Sequence, residues 1–249
     1  MAGTLQTRQL TVTFGGNRAV DGVDIDVGDG ELVGLIGPNG AGKTTFIDAV
    51  TGFVPSSGSV EVAGRRTDGL SPHRRVTQGV ARTWQSVELF DDLTVLENLM
   101  VGHGRQGWAD AILDLAGIRR QGAVDAALDA LDAVGVGDAA DTSPASLVPG
   151  VRKAVGVARA LATGVDLVLL DEPAAGLDEH ESARLGERLL GVVSRGTSVL
   201  LVDHDMHLVL SVCDRIHVLE RGQVIASGSP DEIRRDPAVI AAYLGSATP

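Results

Sequence analysis

Apolar and polar positions alternate at the start of the chain. Leu5, Leu10, Val12 and Phe14, then Val23, Ile25 and Val27, stand among polar residues at the period of a half-buried sheet. Residues 31–36 read as a strand running into a Gly-rich stretch, and 41–50 as the helix beyond it. The turn Pro55-Ser56-Ser57-Gly58 predicts a further strand at 59–63. From about residue 93 the period lengthens. Segments 93–101 and 109–116 read as helices, as does 123–134, which carries Val124, Leu128 and Leu131 on one face. Residues 142–150 read as a loop and 152–162 as a further helix. Beyond Gly164 strand–helix alternation returns. Residues 167–170 and 198–202 are short, bulky and apolar, as buried parallel strands are, with a helix at 179–194 between them. A hairpin of 216–219 and 223–226 around 220–222, then two short helices, closes the chain. The pattern predicts an α/β core with an inserted helical lobe.

Composition narrows the partners. The 249 residues carry a net charge of −12, and the arginines come singly or in pairs among acids, so no basic stripe for nucleic acid is expected. Cys213 is the lone cysteine; it excludes a disulfide framework and reads as a small buried hydrophobe. The N-terminal residues lack a long apolar run, so no signal peptide is expected, and no apolar stretch approaches the length that crosses a bilayer. If the protein works at a membrane, another chain supplies the spans.

Chemistry concentrates in two places. Gly37, Pro38, Asn39, Gly40, Ala41, Gly42, Lys43, Thr44 and Thr45 fit G-x-x-x-x-G-K-[ST], between a strand and a helix. Glycines there let backbone N–H groups cradle phosphate oxygens, and the helix N-terminus adds a positive dipole. Lys43 would reach the β- and γ-phosphates, and Thr44 would place its hydroxyl on Mg²⁺. The chain has only two lysines, Lys43 and Lys153, against nineteen arginines, so an ammonium is kept where a compact charge is required. The second place is the end of the apolar strand 167–170, which delivers Asp171 and Glu172. Asp171 would hold Mg²⁺ or its water, and Glu172 could polarise the attacking water as a general base. Alone, the pair reads equally well as a helix cap; after a phosphate loop it is much more specific.

With both elements in place, the whole chain resembles the nucleotide-binding subunit of an ATP-binding cassette (ABC) transporter, and within that family the ATPase of branched-chain amino acid importers. The stretches that carry the likeness are FGGNRAVDGV from Phe14, IGPNGAGKTTF from Ile36, ARTWQSVELF from Ala81, LLDEPAAGLD from Leu169, VDHDMHLVLSVCDRIHVLERG from Val202 and DPAVIAAYLG from Asp236. The resemblance implies a single P-loop NTPase domain over 1–249, with a mixed-sheet core (1–88 and 163–249), an antiparallel β lobe and an inserted helical lobe (89–162). It implies ATP and Mg²⁺. It places Phe14 where an aromatic stacks on adenine, against the alternative of a core strand Phe. It makes Gln85 the glutamine that touches Mg²⁺ and the water and senses the permease. It makes His204 the histidine on the γ-phosphate, and Asp178 the aspartate that crosses to a partner subunit. His103 and His207 match nothing catalytic.

One motif departs from the family. The signature Leu-Ser-Gly-Gly-Gln stands here as Leu147-Val148-Pro149-Gly150-Val151. Val148 lacks the serine hydroxyl and Pro149 lacks a backbone N–H. One hydrogen bond to a charged group is worth roughly 1.5–3 kcal/mol, about ten- to a hundredfold in affinity. In this family two subunits sandwich two ATPs head to tail and each signature completes the other's site, so the loss falls on the partner's ATP. A heterodimer with a second cassette is therefore expected, with a homodimer as the alternative. Integral-membrane permease subunits and an external solute-binding protein are the further partners implied, with this chain peripheral at the cytoplasmic face of the membrane. A lipid or drug exporter's ATPase, or a weakly hydrolysing regulatory module, is the competing reading.

Overall fold

The computed structural model describes residues 4–83, 88–101 and 118–244, the side chains of 118–120 and 244 excepted. Gln85, His103 and the helix expected over 109–116 lie outside the described residues. Two sheets form the frame. The first is antiparallel and contains β1 (Leu5–Phe14), β2 (Asn17–Val27), β4 (Ser57–Val62) and β5 (Arg65–Arg66), in the order β2-β1-β4-β5. The second contains β3 (Leu32–Ile36), β6 (Val80–Arg82), β7 (Leu167–Asp171), β8 (Ser198–Val202), β9 (Arg215–Glu220) and β10 (Gln223–Gly228). Its order is β10-β9-β3-β8-β7-β6, and every pair is parallel except β9–β10.

The helices are α1 (Lys43–Thr51), α2 (Pro72–Val76), α3 (Val95–Met100), α4 (Ile118–Ala133), α5 (Pro149–Leu161), α6 (Glu179–Ser194), α7 (Met206–Val212), α8 (Pro230–Arg235) and α9 (Pro237–Leu244). Among the described residues, those between β6 and β7 form helices and 3₁₀ turns but no strand.

Every residue of β3, β7 and β8 is buried, because both faces of the larger sheet are covered. Successive side chains on a strand point to opposite faces. Val33, Leu35, Leu167, Leu169, Leu200 and Val202 therefore enter one core with α1 and the antiparallel sheet. Leu32, Ile36, Val168, Leu170, Val199 and Leu201 enter the other with α3 to α7. Helix α1 is thus held between the two sheets by Phe46, Ile47 and Val50, each worth about 1.5–3 kcal/mol in buried side chain.

Several expectations shift at their edges. The first helix starts at Lys43 rather than Ala41, because Gly42 at φ 106° stands outside the helical region. The loop expected over 142–150 holds a 3₁₀ turn at Pro144–Ser146, and its end is already helix. Helix α5 starts at Pro149 rather than Arg152: proline's missing N–H costs nothing at the first helical position, and its φ is already right. Phe14 ends β1 with half its surface exposed, outside both cores, whereas Leu10, Val12, Val23, Ile25 and Val27 are buried as the alternation requires. Cys213 is buried, and burial raises its thiol well above the usual range. The hairpin forms across Arg221 (φ 48°) and Gly222 (φ 82°), the positive-φ pair of a tight two-residue turn.

Candidate functional site

The larger sheet brings its C-terminal ends into one row, where ligands of open α/β sheets gather. Val202 stands opposite both Leu35 and Asp171 in register. The row therefore offers Gly37 after β3, Asp203 and His204 after β8, and Glu172 after β7.

Gly37 and Gly42 are tied to close backbone approaches. A Cβ on Gly37 would lie 2.0 Å from the Leu219 carbonyl oxygen, and one on Gly42 2.3 Å from that of Ala19. Gly40, at φ 79°, faces open space. The Gly222 N–H donates to the Ala41 carbonyl at 2.8 Å, so the β9–β10 turn braces the loop from behind. Gly42 caps α1 with no side-chain hydrogen bond among the described residues, which leaves first-turn N–H groups to an anion. Lys43 is buried, and its Nζ donates to the Gly37 carbonyl at 2.7 Å and the Pro38 carbonyl at 3.2 Å. Burial lowers the Lys43 pKa, while Glu172, Asp171 and Asp203 oppose that shift. Asn39 and Thr44 are exposed; Pro38 and Thr45 are half-buried.

Asp171 is buried and Glu172 follows it at φ 48°, a left-handed conformation that L-residues other than glycine rarely adopt. Its N–H donates to the Val202 carbonyl at 2.7 Å, which fixes the turn that aims the carboxylate. His204 stands opposite, 57 % exposed, with Nδ1 3.8 Å from Glu172 Oε2 and 3.6 Å from Asp203 Oδ1. Asp203 is fully buried and organises this corner. It accepts from the N–H groups of His204 at 2.7 Å, Asp205 at 3.0 Å and Ala174 at 2.9 Å, so one carboxylate joins the two loops. Asp171 accepts from Arg82 Nη2 at 2.7 Å. Burial raises the Asp171 pKa and Arg82 opposes the rise.

The signature segment lies elsewhere on the surface. Val148 precedes α5 as its cap residue, 60 % exposed and without a side-chain cap bond, and Pro149 occupies the first helical position, exposed. Leu147 packs on the core and Gly150 is buried. The Gly150 N–H donates to Glu181 Oε1 at 3.2 Å. Glu181 also closes the capping box of α6, where Asp178 accepts from the Glu181 N–H at 2.8 Å. One carboxylate therefore links Asp178 to the start of α5.

The structure thus gathers Gly37–Thr45, Asp171, Glu172 and His204 at one sheet end. It sets Leu147–Val151 and Asp178 together at a second place, and Phe14 at the exposed end of β1. Sequence reasoning passed over Arg82, Asp203 and Glu181. Asp203, inside Val202-Asp203-His204-Asp205, carried a local signal, an Asx pattern at a strand end, and Glu181 one for its cap role alone, three residues after Asp178; Arg82 carried none.

The donors present fit ATP and Mg²⁺: an uncapped helix start, a lysine, an exposed hydroxyl and a carboxylate. Among the described residues no three His, Cys, Asp or Glu side chains gather as a cation cage. Mg²⁺ characteristically takes one or two protein carboxylates together with substrate phosphates and water.

Comparison with known proteins defines the class. The family described as ABC transporter matches residues 20–175, and the one described as branched-chain amino acid ATP-binding cassette transporter matches 223–248. The chain belongs to the ABC transporter family: it is the ATP-binding motor subunit of such a transporter, an ATPase that uses ATP and Mg²⁺. In particular, it is 39 % identical, over 98 % of both chains, to the high-affinity branched-chain amino acid transport ATP-binding protein LivG of Salmonella typhimurium. It is 34 % identical, over 97 % of both chains, to the lipopolysaccharide export system ATP-binding protein LptB of Escherichia coli. The ADP conformation of an ATP-binding cassette from an ABC transporter superposes with a TM-score of 0.86 at 28 % identity, covering 98 % of this chain and all of that one. No helix among the described residues is long and apolar enough to cross a membrane.

Proposed function

We propose that this chain drives an importer of branched-chain amino acids or similar polar solutes, and does so as one half of an asymmetric pair. The import reading is carried by the likeness to LivG along nearly the whole chain, with the separate branched-chain match at 223–248. Lipopolysaccharide export, known for a relative at 34 % identity, is the second reading. Integral-membrane permease subunits, to which this chain docks at the cytoplasmic face, and an external solute-binding protein complete the assembly. Uptake of labelled leucine by cells with and without the gene tests it; uptake that is unchanged, with a defect in outer-leaflet lipid instead, would move the protein to the exporter class.

Within this reading Lys43 and the α1 N-terminus hold the phosphates, Phe14 stacks on adenine, and Thr44, Asp171 and Gln85 serve Mg²⁺. Mg²⁺ held there would supply positive charge against that of the phosphates. Glu172 takes the proton of the attacking water, and His204, across from it, contacts the γ-phosphate and orients that water.

The asymmetry is carried by the start of α5. Val148 offers no hydroxyl, Pro149 no N–H, and the Gly150 N–H is bonded to Glu181. A partner's γ-phosphate would have to displace a carboxylate of this chain for a reduced set of donors. ATP held by Lys43 is hydrolysed with the signature of a second, different cassette, and the partner's ATP is turned over poorly. Mg²⁺-dependent ATPase of this chain alone, then mixed with its partner cassette, tests the proposal. Low activity alone that rises on mixing supports it, and equal activity in both states defeats it.

A further inference from the structure

Arg82 is a buried arginine whose guanidinium spans two carboxylates from different layers. Nη2 donates to Asp171 Oδ2 at 2.7 Å and Nη1 to Asp48 Oδ1; the Arg82 and Asp171 side chains are each 6 % exposed and that of Asp48 26 %. Asp48 belongs to α1 and Asp171 ends β7, while Arg82 itself ends β6, paired to β7 with Arg82 opposite Leu169. Nothing in a three-residue strand requires a charge here. A buried ion pair is seldom worth more to stability than well-packed apolar side chains, so stability alone is a weak reason for this one.

Position supplies a better reason. Asp48 lies four residues after Thr44, on the same face of α1. The bridge Asp48–Arg82–Asp171 therefore ties the helix face that carries Thr44 to the strand end that carries Asp171, the two oxygen donors assigned to Mg²⁺. The guanidinium fork takes Oδ2 of Asp171 in a fixed orientation. Among the described residues nothing donates to Oδ1, which remains for the metal. Mg²⁺ demands near-ideal octahedral geometry at short distances, so the spacing of its protein oxygens matters.

We propose that Arg82 is the positioning residue of the Mg²⁺ site: braced by Asp48, it sets the gap between Thr44 and Asp171 and holds the Asp171 carboxylate with one oxygen facing the metal. The inference rests on the assignment of Thr44 and Asp171 to Mg²⁺, and its test separates the two. Trinitrophenyl-ATP binding is measured on the full chain in EDTA and across a Mg²⁺ titration, for wild type, Arg82→Gln, Arg82→Lys, Asp48→Asn and Asp171→Asn. Loss of an outer partner of a metal carboxylate costs about ten- to a hundredfold in metal affinity. Arg82→Gln and Asp48→Asn are expected to raise the Mg²⁺ concentration of half-effect by that factor, with binding in EDTA unchanged. Arg82→Lys, which keeps the charge but cannot span both acids, falls between. If Arg82→Gln does not fold, Asp48→Asn and Arg82→Lys decide by the same criterion. A wild-type Mg²⁺ response in these variants, or an equal loss in EDTA, overturns the inference while a lost response in Asp171→Asn leaves the metal assignment standing. A wild-type response in Asp171→Asn overturns both.

Discussion

Two helices of this chain, α1 and α5, begin differently in what holds their first backbone N–H groups. Helix α1 starts after Gly42 with no side-chain cap among the described residues, beside a glycine that faces open space and a lysine held over the loop. Helix α5 starts after Val148 with proline first, and its Gly150 N–H is given to Glu181. The backbone device is the same at both. What separates them is what already occupies the donors: no side chain at α1 among the described residues, an internal carboxylate at α5. A helix N-terminus is thus an anion site only while the chain leaves it empty.

The largest expected break in this contrast is chemical. Glu172→Gln keeps the shape of the site but removes the proposed base, and ATP turnover with the partner cassette should fall by about 10²–10⁴-fold while nucleotide binding persists. Turnover within tenfold of wild type would remove Glu172 from the role.

Acid should have the next largest effect, through the stability of the sheet that carries the α1 side. His217 on β9 is buried, and burial, with Arg215 nearby, pushes its pKa down from 6.5 to about 4 against the opposing pull of Asp26 and Glu31. The unfolded chain takes up this proton near pH 6.5 and the folded chain does not until about pH 4. Stability is complete above pH 6.5 and declines as pH falls toward 4, by about 3 kcal/mol from this group. Urea midpoints across that window should flatten in His217→Gln; an unchanged slope would show that other groups govern the acid response.

At α5 the expected gain is smaller. Val148→Ser with Pro149→Gly restores two donors, each worth about ten- to a hundredfold if made in full, and should raise ATP-dependent self-association by at least about tenfold. Gel filtration with Glu172→Gln in the background reads it, and an unchanged monomer fraction would mean that these two residues are not what blocks the site. Smallest is Asp178→Ala, which removes a helix cap: about 1 kcal/mol, or a thermal midpoint lower by about 2–4 °C. A midpoint within error of wild type would show the cap to be redundant.

How much was legible in the sequence follows the range of the interactions. The phosphate loop, the β7 acids and the β9–β10 hairpin are local patterns, and each lies where its residues predict. The family stretches also directed attention to Leu147–Val151. Arg82 was not legible, since its meaning depends on Asp48, 34 residues away, and Asp171, 89 away. Glu181 acquires its second role only because α6 packs against α5, 31 residues apart in sequence from Gly150. The start of α5 was misplaced for a local reason: proline reads as a helix breaker inside a run but is favoured at its first position.

The left-handed backbone of Glu172 has a consequence for anyone selecting this protein for robustness. A carboxylate residue there sits about 1–2 kcal/mol above what glycine would cost in the same conformation. Glu172→Gly should therefore be tolerated by the fold and favoured in a thermal screen, while removing the carboxylate proposed as the base for ATP hydrolysis. Libraries scored on melting temperature alone would enrich such inert molecules, and a turnover assay has to accompany the heat step.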